Sequence, residues 1–181
     1  MNENQKKNIS KFLSLVLRHQ PETIDLALDA SGWANVEELI EKCKKHGYVF
    51  SKEDLMEIVF SNDKKRFAFS EDETRIRANQ GHSIDVDLAL NPSEPPVFLY
   101  HGTVAKFLQN IQQEGLQKMS RQHVHLSKDK ETAMKVGSRR GSPEILVVNS
   151  FKMHEDGFVF FISENGVWLT DYVPTKYIEF K

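Results

Sequence analysis

Apolar residues in the first twenty positions recur at helical spacing. Ile9, Phe12, Leu13, Val16 and Leu17 fall on one face, which predicts an amphipathic helix. Pro21 places its end just before that proline. A second helix is expected near NVEELIEKCKKHG. Asn35 and Glu38 are spaced as a capping box and Gly47 is a natural stop, with Val36, Leu39, Ile40 and Cys43 as the buried face. A third helix opens at Ser51 in SKEDLMEIVFSND, behind a serine cap and an acidic first turn. The period then changes to two. KRFAF and RIRAN alternate around the turn-like SEDET, so they predict a β-hairpin. Three helices and a hairpin give an expected winged-helix lobe over residues 1–80.

GHSIDVDLALNPSEPP holds three prolines and little periodicity, and is expected to be a linker over 81–96. Residues 97–181 then read as a β-rich lobe. VFLYHGT is a strand running into a turn, and VAKFLQNIQQEG is an amphipathic helix stopped by Gly115. HVHLS is a short strand and KDKETAMKVG a short helix. EILVVNS, FVFFIS, VWLT and KYIEF are four further strands. The expected fold class is α+β.

Composition narrows this picture. The 181 residues are 39% hydrophobic and include twelve Phe, enough for packed cores. The single cysteine, Cys43, excludes a disulfide framework and argues against a cysteine zinc site. Its place on a helix face makes it a core residue, not a nucleophile. Neither a secretory leader nor an apolar run of ~18 residues is visible, so a cytoplasmic protein without a membrane partner is expected, by default a monomer. The formal charge is −2, with thirteen basic against fourteen acidic residues in 1–79 and eleven against twelve in 80–181. Neither half carries the excess of positive charge usual in proteins that hold long duplexes. Any nucleic-acid contact should be local and built from a few placed arginines.

Three arginine clusters and a set of histidines are the candidate chemistry. Arg18 falls nearly opposite the apolar stripe of the first helix and His19 at its edge. The plain reading is a solvated arginine and a C-terminal histidine favourable to the helix dipole; the functional reading is a polar rim. Arg66 stands where the third helix gives way to the hairpin, either in a solvated basic turn with Lys64 and Lys65 or as an arginine whose rotamer a strand could fix. KVGSRRGSP offers Gly137 and Gly141 for tight turns, and Arg139 and Arg140 as planar forks matching phosphate oxygens. It lacks the Walker spacing. His101 ends a strand, and His123 and His125 alternate along another so that they share a face. No carboxylate is spaced to complete a metal site with them, and no metal is implied. Several arginines without paired carboxylates, a Ser-His-Asp logic or a cysteine nucleophile suit the binding of phosphate charge. They suit proteolysis and glycoside hydrolysis poorly.

VLRH at the first helix end, NDKKRF, RANQGHS, LYHGT, RQHVHLS and KVGSRRG occur in that order. In order and spacing, from about residue 5 to residue 180, the chain resembles the NAD-dependent RNA (tRNA) 2′-phosphotransferases, the KptA family. The resemblance implies an N-terminal winged-helix RNA lobe and a C-terminal lobe of the ADP-ribosyltransferase fold that takes NAD as co-substrate. It implies removal of an internal 2′-phosphate from RNA, with nicotinamide and ADP-ribose 1″,2″-cyclic phosphate as products. The family's Arg-His-Arg-Arg catalytic set falls on Arg18, His19, Arg66 and Arg139, the last chosen over Arg140 by its spacing after Gly137. The NAD motifs fall on His101, Gly102 and Thr103 and on His125 and Ser127. A histidine at 125, where many ADP-ribosyltransferases have tyrosine, resembles the His-His branch of that superfamily. The third superfamily position falls within GFVFFISENGVWLT, where the glutamate of protein-modifying relatives is not identifiable, since Glu164 sits in an expected turn. Competing readings are an ADP-ribosyltransferase acting on protein or on nucleic-acid phosphate ends, and a winged-helix regulator without catalysis. The acidic start of SKEDLMEIVF speaks against a basic recognition helix.

Overall fold

A computed structural model describes residues 1–180. The chain is α+β and divides into two compact units, Met1–Ala89 and a second from Leu90 onward. Each encloses its own hydrophobic core.

The first unit opens with helix α1, Glu3–Arg18, which buries the five residues of the expected stripe. Its start is fixed by a capping box between Asn2 and Gln5. Its end comes at His19, whose backbone N–H returns to the Leu15 carbonyl. After a 3₁₀ turn at Pro21–Ile24, the two-residue strand β1, Ala34–Asn35, leads into α2, Val36–Lys45. The Asn35 side chain accepts the Glu38 N–H at 2.9 Å. Val36, Leu39 and Cys43 are buried here, while Ile40 is only partly buried against the core. Burial pushes the Cys43 thiol up to about 12, as suits a packing residue. Helix α3, Lys52–Phe60, follows a reciprocal Ser51–Asp54 capping box.

Strands β2, Phe67–Phe69, and β3, Arg75–Ala78, form the antiparallel hairpin. Its turn is organised by Asp72, which accepts bonds from Ser70 Oγ, Thr74 Oγ1 and Thr74 N–H. Those bonds hold its carboxyl down to about 2. β1 adds antiparallel to β3, giving the sheet order β1-β3-β2. A strand this short carries no alternation, so sequence periodicity could not reveal it.

The unit runs nine residues past the expected boundary at 80. The Ser83 and Ile84 N–H groups donate to the Arg18 carbonyl, and the Asp87 N–H to that of Ala30. His82, Val86 and Leu88 are buried. Residues 81–89 are thus packed against the first unit and do not act as linker. Their signal was missed because irregular backbone held by distant carbonyls has no period.

The second unit contains β4, Leu99–Val104; α4, Ala105–Glu114; β5, Val124–Leu126; α5, Lys130–Gly137; β6, Pro143–Val148; α6, Ser150–Glu155; β7, Phe160–Ile162; β8, Trp168–Thr170; and β9, Ile178–Glu179. Every expected strand and helix is present, and α6 is an addition. Two three-stranded antiparallel sheets result, β4-β6-β9 and β5-β8-β7. Paired Tyr100 and Ser127 backbones join β4 to β5, each N–H donating to the other's carbonyl. Gly115 ends α4 at φ +75°, and a Cβ there would lie 2.2 Å from the Val173 carbonyl oxygen. Among the described residues no helix is long and apolar enough to cross a membrane.

Candidate active site

In the first unit the expected site residues are gathered by one segment, residues 79–84. The Asn79 N–H donates to the Arg66 carbonyl at 2.9 Å, and the Asn79 side chain to the Lys65 carbonyl. Four residues on, the Ser83 hydroxyl lies 2.8 Å from His19 Nδ1, and the Ser83 N–H donates to the Arg18 carbonyl. Between them Gly81, at φ +86°, lets the backbone pass close to Arg18. A Cβ there would sit 3.6 Å from the guanidinium carbon. Arg18, His19 and Arg66 are all half-buried, so the solvated reading of Arg18 does not hold. Its position opposite the apolar stripe is as expected, but 79–84 covers it.

The same segment contains His82, 1% exposed. Burial and then the charges of Arg18, His19 and Arg77 push its pKa down to about 4, so the ring is neutral at physiological pH. Arg77 itself lies 4.5 Å over the Trp33 ring. The first unit therefore carries a cluster of basic groups, the electrostatic complement of a phosphate.

The second unit carries the other cluster. His101 is the third of six residues in β4 rather than its end. Its Nδ1–H donates to the His125 carbonyl on β5 at 3.1 Å, so Nε2 is the acceptor of the neutral ring. Burial holds the His101 pKa below its ordinary value, with Arg140 and Arg121 adding to the effect. Arg121 Nη1 lies 3.3 Å from His125 Nδ1, which leaves Nε2–H of His125 as a donor. Desolvation, then Arg140 and Arg139, also lower the pKa of Arg121. Arg139 and Arg140 occupy a 3₁₀ turn at Ser138–Arg140 immediately after α5, and Arg140 lies 5.7 Å from the Phe107 ring centroid. His123 sits edge-on to Phe161, with ring centroids 5.6 Å apart, outside this cluster. Arg121 is the member that sequence reasoning left unassigned. Its signal was its place at the head of RQHVHLS, four residues before His125.

Two glycines hold the cluster's frame. A Cβ on Gly102 would lie 1.7 Å from the Ala133 carbonyl oxygen, and one on Gly137 would lie 2.9 Å from that of Thr103. Strand β4 and helix α5 therefore touch backbone to backbone. Gly137 is helical, at φ −63°, so it serves close packing and not the tight turn expected of it. Gly141, at φ +139°, does make the turn. Thr103 is buried and Ser127 pairs with Tyr100 through its backbone.

Residues 4–172 match the family described as RNA 2'-phosphotransferase, Tpt1 / KptA family. The chain belongs to that family. It is therefore an enzyme, and a transferase. A probable RNA 2'-phosphotransferase of Flavobacterium johnsoniae is 67% identical over 181 residues, the whole of both chains. Proteins of the same description are 55% identical over 175 residues in Acaryochloris marina, covering 97% of each chain, and 51% identical over 180 residues in Streptomyces coelicolor, covering 99% of this chain and 98% of the relative.

Proposed function

We propose that this chain removes an internal 2′-phosphate from RNA by transferring it to NAD. In the first step a 2′-phosphate oxygen bonds to the anomeric carbon of the nicotinamide ribose, and the bond to nicotinamide breaks. In the second, the 2″-hydroxyl of that ribose attacks phosphorus. The RNA 2′-oxygen leaves and takes a proton, giving 2′-OH RNA and ADP-ribose 1″,2″-cyclic phosphate. The observation that carries the reading is the gathering of Arg18, His19 and Arg66 by residues 79–84 in a chain of this family. A dianionic phosphate is what two half-buried arginines beside a histidine bind best.

The helices and hairpin of the first unit support a winged-helix RNA-binding lobe, and the paired sheets of the second an ADP-ribosyltransferase-like lobe. The second cluster fits a dinucleotide by its donor chemistry. Arg121, Arg139 and Arg140 match an anionic pyrophosphate, the His101 acceptor suits a ribose hydroxyl, and the His125 donor suits a carbonyl or phosphate oxygen. Gly102 and Thr103 follow His101 on β4, and Ser127 follows β5 directly. NAD supplies a sugar carbon with a good leaving group, so little acid assistance is needed and no carboxylate pair is required.

Arg18 and Arg66 orient the phosphate and neutralise its charge. His19, tied to Ser83, holds the phosphate or accepts the 2″-hydroxyl proton. Arg139 stabilises charge on the phosphoryl oxygens in the second step. Its neighbour Arg140 is engaged with Phe107, which supports Arg139 in that role. The protein acts as a cytoplasmic monomer.

The test is a short RNA with one internal labelled 2′-phosphate, incubated with and without NAD. NAD-dependent passage of the label into ADP-ribose cyclic phosphate is the expected result. A stable ADP-ribosylated product would instead make the chain a plain ADP-ribosyltransferase. RNA binding without any turnover would leave only a binding module.

A further inference from the structure

His82 is a buried polar group that neither the fold nor the mechanism above uses. Its side chain is 1% exposed, and neither ring nitrogen makes a hydrogen bond. An imidazole in this state has given up its hydration with no protein bond in exchange, which costs stability. A phenylalanine or leucine would fill the same volume without that cost, so packing alone does not account for a histidine here.

What surrounds the ring is specific. Its chain neighbours are Gly81, whose backbone passes the Arg18 guanidinium, and Ser83, whose hydroxyl lies 2.8 Å from His19 Nδ1. Nε2 lies 3.5 Å from where a Gly32 side chain would begin, close to Val86. The charges that act on the ring come from Arg18, His19 and Arg77, and all of them oppose its protonation. A neutral imidazole has one acceptor nitrogen, and every charged group acting on this one is a donor.

We propose that His82 is a positioning residue for Arg18 and His19, its buried ring supplying an acceptor that draws the Arg18 guanidinium into the orientation that receives the RNA phosphate. Nε2 is packed toward Gly32 and Val86, so the acceptor is Nδ1. Bonds of this kind are often long before substrate arrives and close in the complex, which accounts for a ring without a bond here. The inference rests on the reading of Arg18 and His19 as the phosphate-binding pair.

The experiment uses the full chain, wild type, His82→Phe and His82→Asn, with the labelled 2′-phosphorylated RNA and NAD. His82→Phe removes the acceptor and keeps the volume; His82→Asn keeps an oxygen near the Nδ1 position. Positioning predicts that His82→Phe lowers kcat by roughly 100-fold, the effect of a displacement of about 1 Å in a positioned group. Its KM for NAD and its melting temperature should be no worse than wild type, and His82→Asn should recover most of the rate. His82→Phe with wild-type kcat overturns the proposal. So does an equal loss in both variants that follows a fall in melting temperature, which would make the residue a packing element. If His82→Phe does not fold, His82→Asn is compared with His82→Gln, which carries its oxygen one carbon further. Activity in Asn but not Gln supports Nδ1, and equal activity overturns it. Wild-type turnover reports separately on the proposed reaction, and its absence would remove both.

Discussion

The planar fork of Arg18 is the feature most exposed to a single substitution. A lysine keeps the charge but loses the geometry that meets two phosphate oxygens. Arg18→Lys is therefore expected to lose most RNA dephosphorylation while NAD binding, measured separately by calorimetry, is kept; normal turnover would remove Arg18 from the reaction. Arg139→Ala should let ADP-ribosylated RNA accumulate on a time-course gel if this arginine serves the second step, and absence of that species would shift the role to Arg140. His82 also gives a stability signal. Its pKa lies near 4 in the folded protein against an ordinary 6.5, so the unfolded chain binds the extra proton. Stability from this group is complete above pH 6.5 and falls as pH drops toward 4, by roughly 3 kcal/mol in all. Denaturant titrations of wild type and His82→Phe at pH 7 and pH 4.5 isolate the difference. The gap between the two proteins should move in favour of the variant at the lower pH.

The contact between β4 and α5 has no room for a side chain. Gly102→Ala would drive a methyl group into the Ala133 carbonyl, and the element must shift. A loss of about 3 kcal/mol or more is expected, at the upper end for overpacking, read as a lowered melting temperature in the absence of any ligand. An unchanged melt would mean that β4 and α5 can separate freely. The helix starts are cheaper to disturb. Ser51→Ala removes the hydroxyl that accepts the Asp54 N–H at 3.1 Å, at a cost of about 1 kcal/mol.

The molecule as a whole is close to electrically neutral, with a formal charge of −2. Under the proposed reading, phosphate recognition is concentrated in a few groups and not spread over a basic surface. Binding of a single-stranded 2′-phosphorylated RNA should therefore depend only modestly on salt. With about three phosphate charges neutralised, affinity is expected to fall roughly 20-fold between 50 and 200 mM salt. A fluorescence-anisotropy titration across that range checks this, and a fall of 1,000-fold or more would point to a broad basic footprint instead.

Local order was readable from the chain because its causes are local. The buried stripe of α1 follows from apolar spacing, the starts of α2 and α3 from Asn35 and Ser51, and the hairpin from two alternating runs. Arg18, His19, Arg66 and the strand histidines stood out by residue type and by the order of their short motifs. What surrounds those residues was decided by contacts between distant positions. His19 meets Ser83 sixty-four residues away, and His101 meets the His125 carbonyl twenty-four away. The segment 81–89 looked like a linker because its hydrogen bonds go to Arg18 and Ala30 and leave no period of their own. The requirement for Gly102 lies in the carbonyl of Ala133, on a different element. Spacing along a chain encodes which face a residue occupies within its own helix or strand. The burial of an arginine, the tautomer of a histidine and the absence of a bond to His82 depend on which other backbone folds over them, and only the packed chain supplies that.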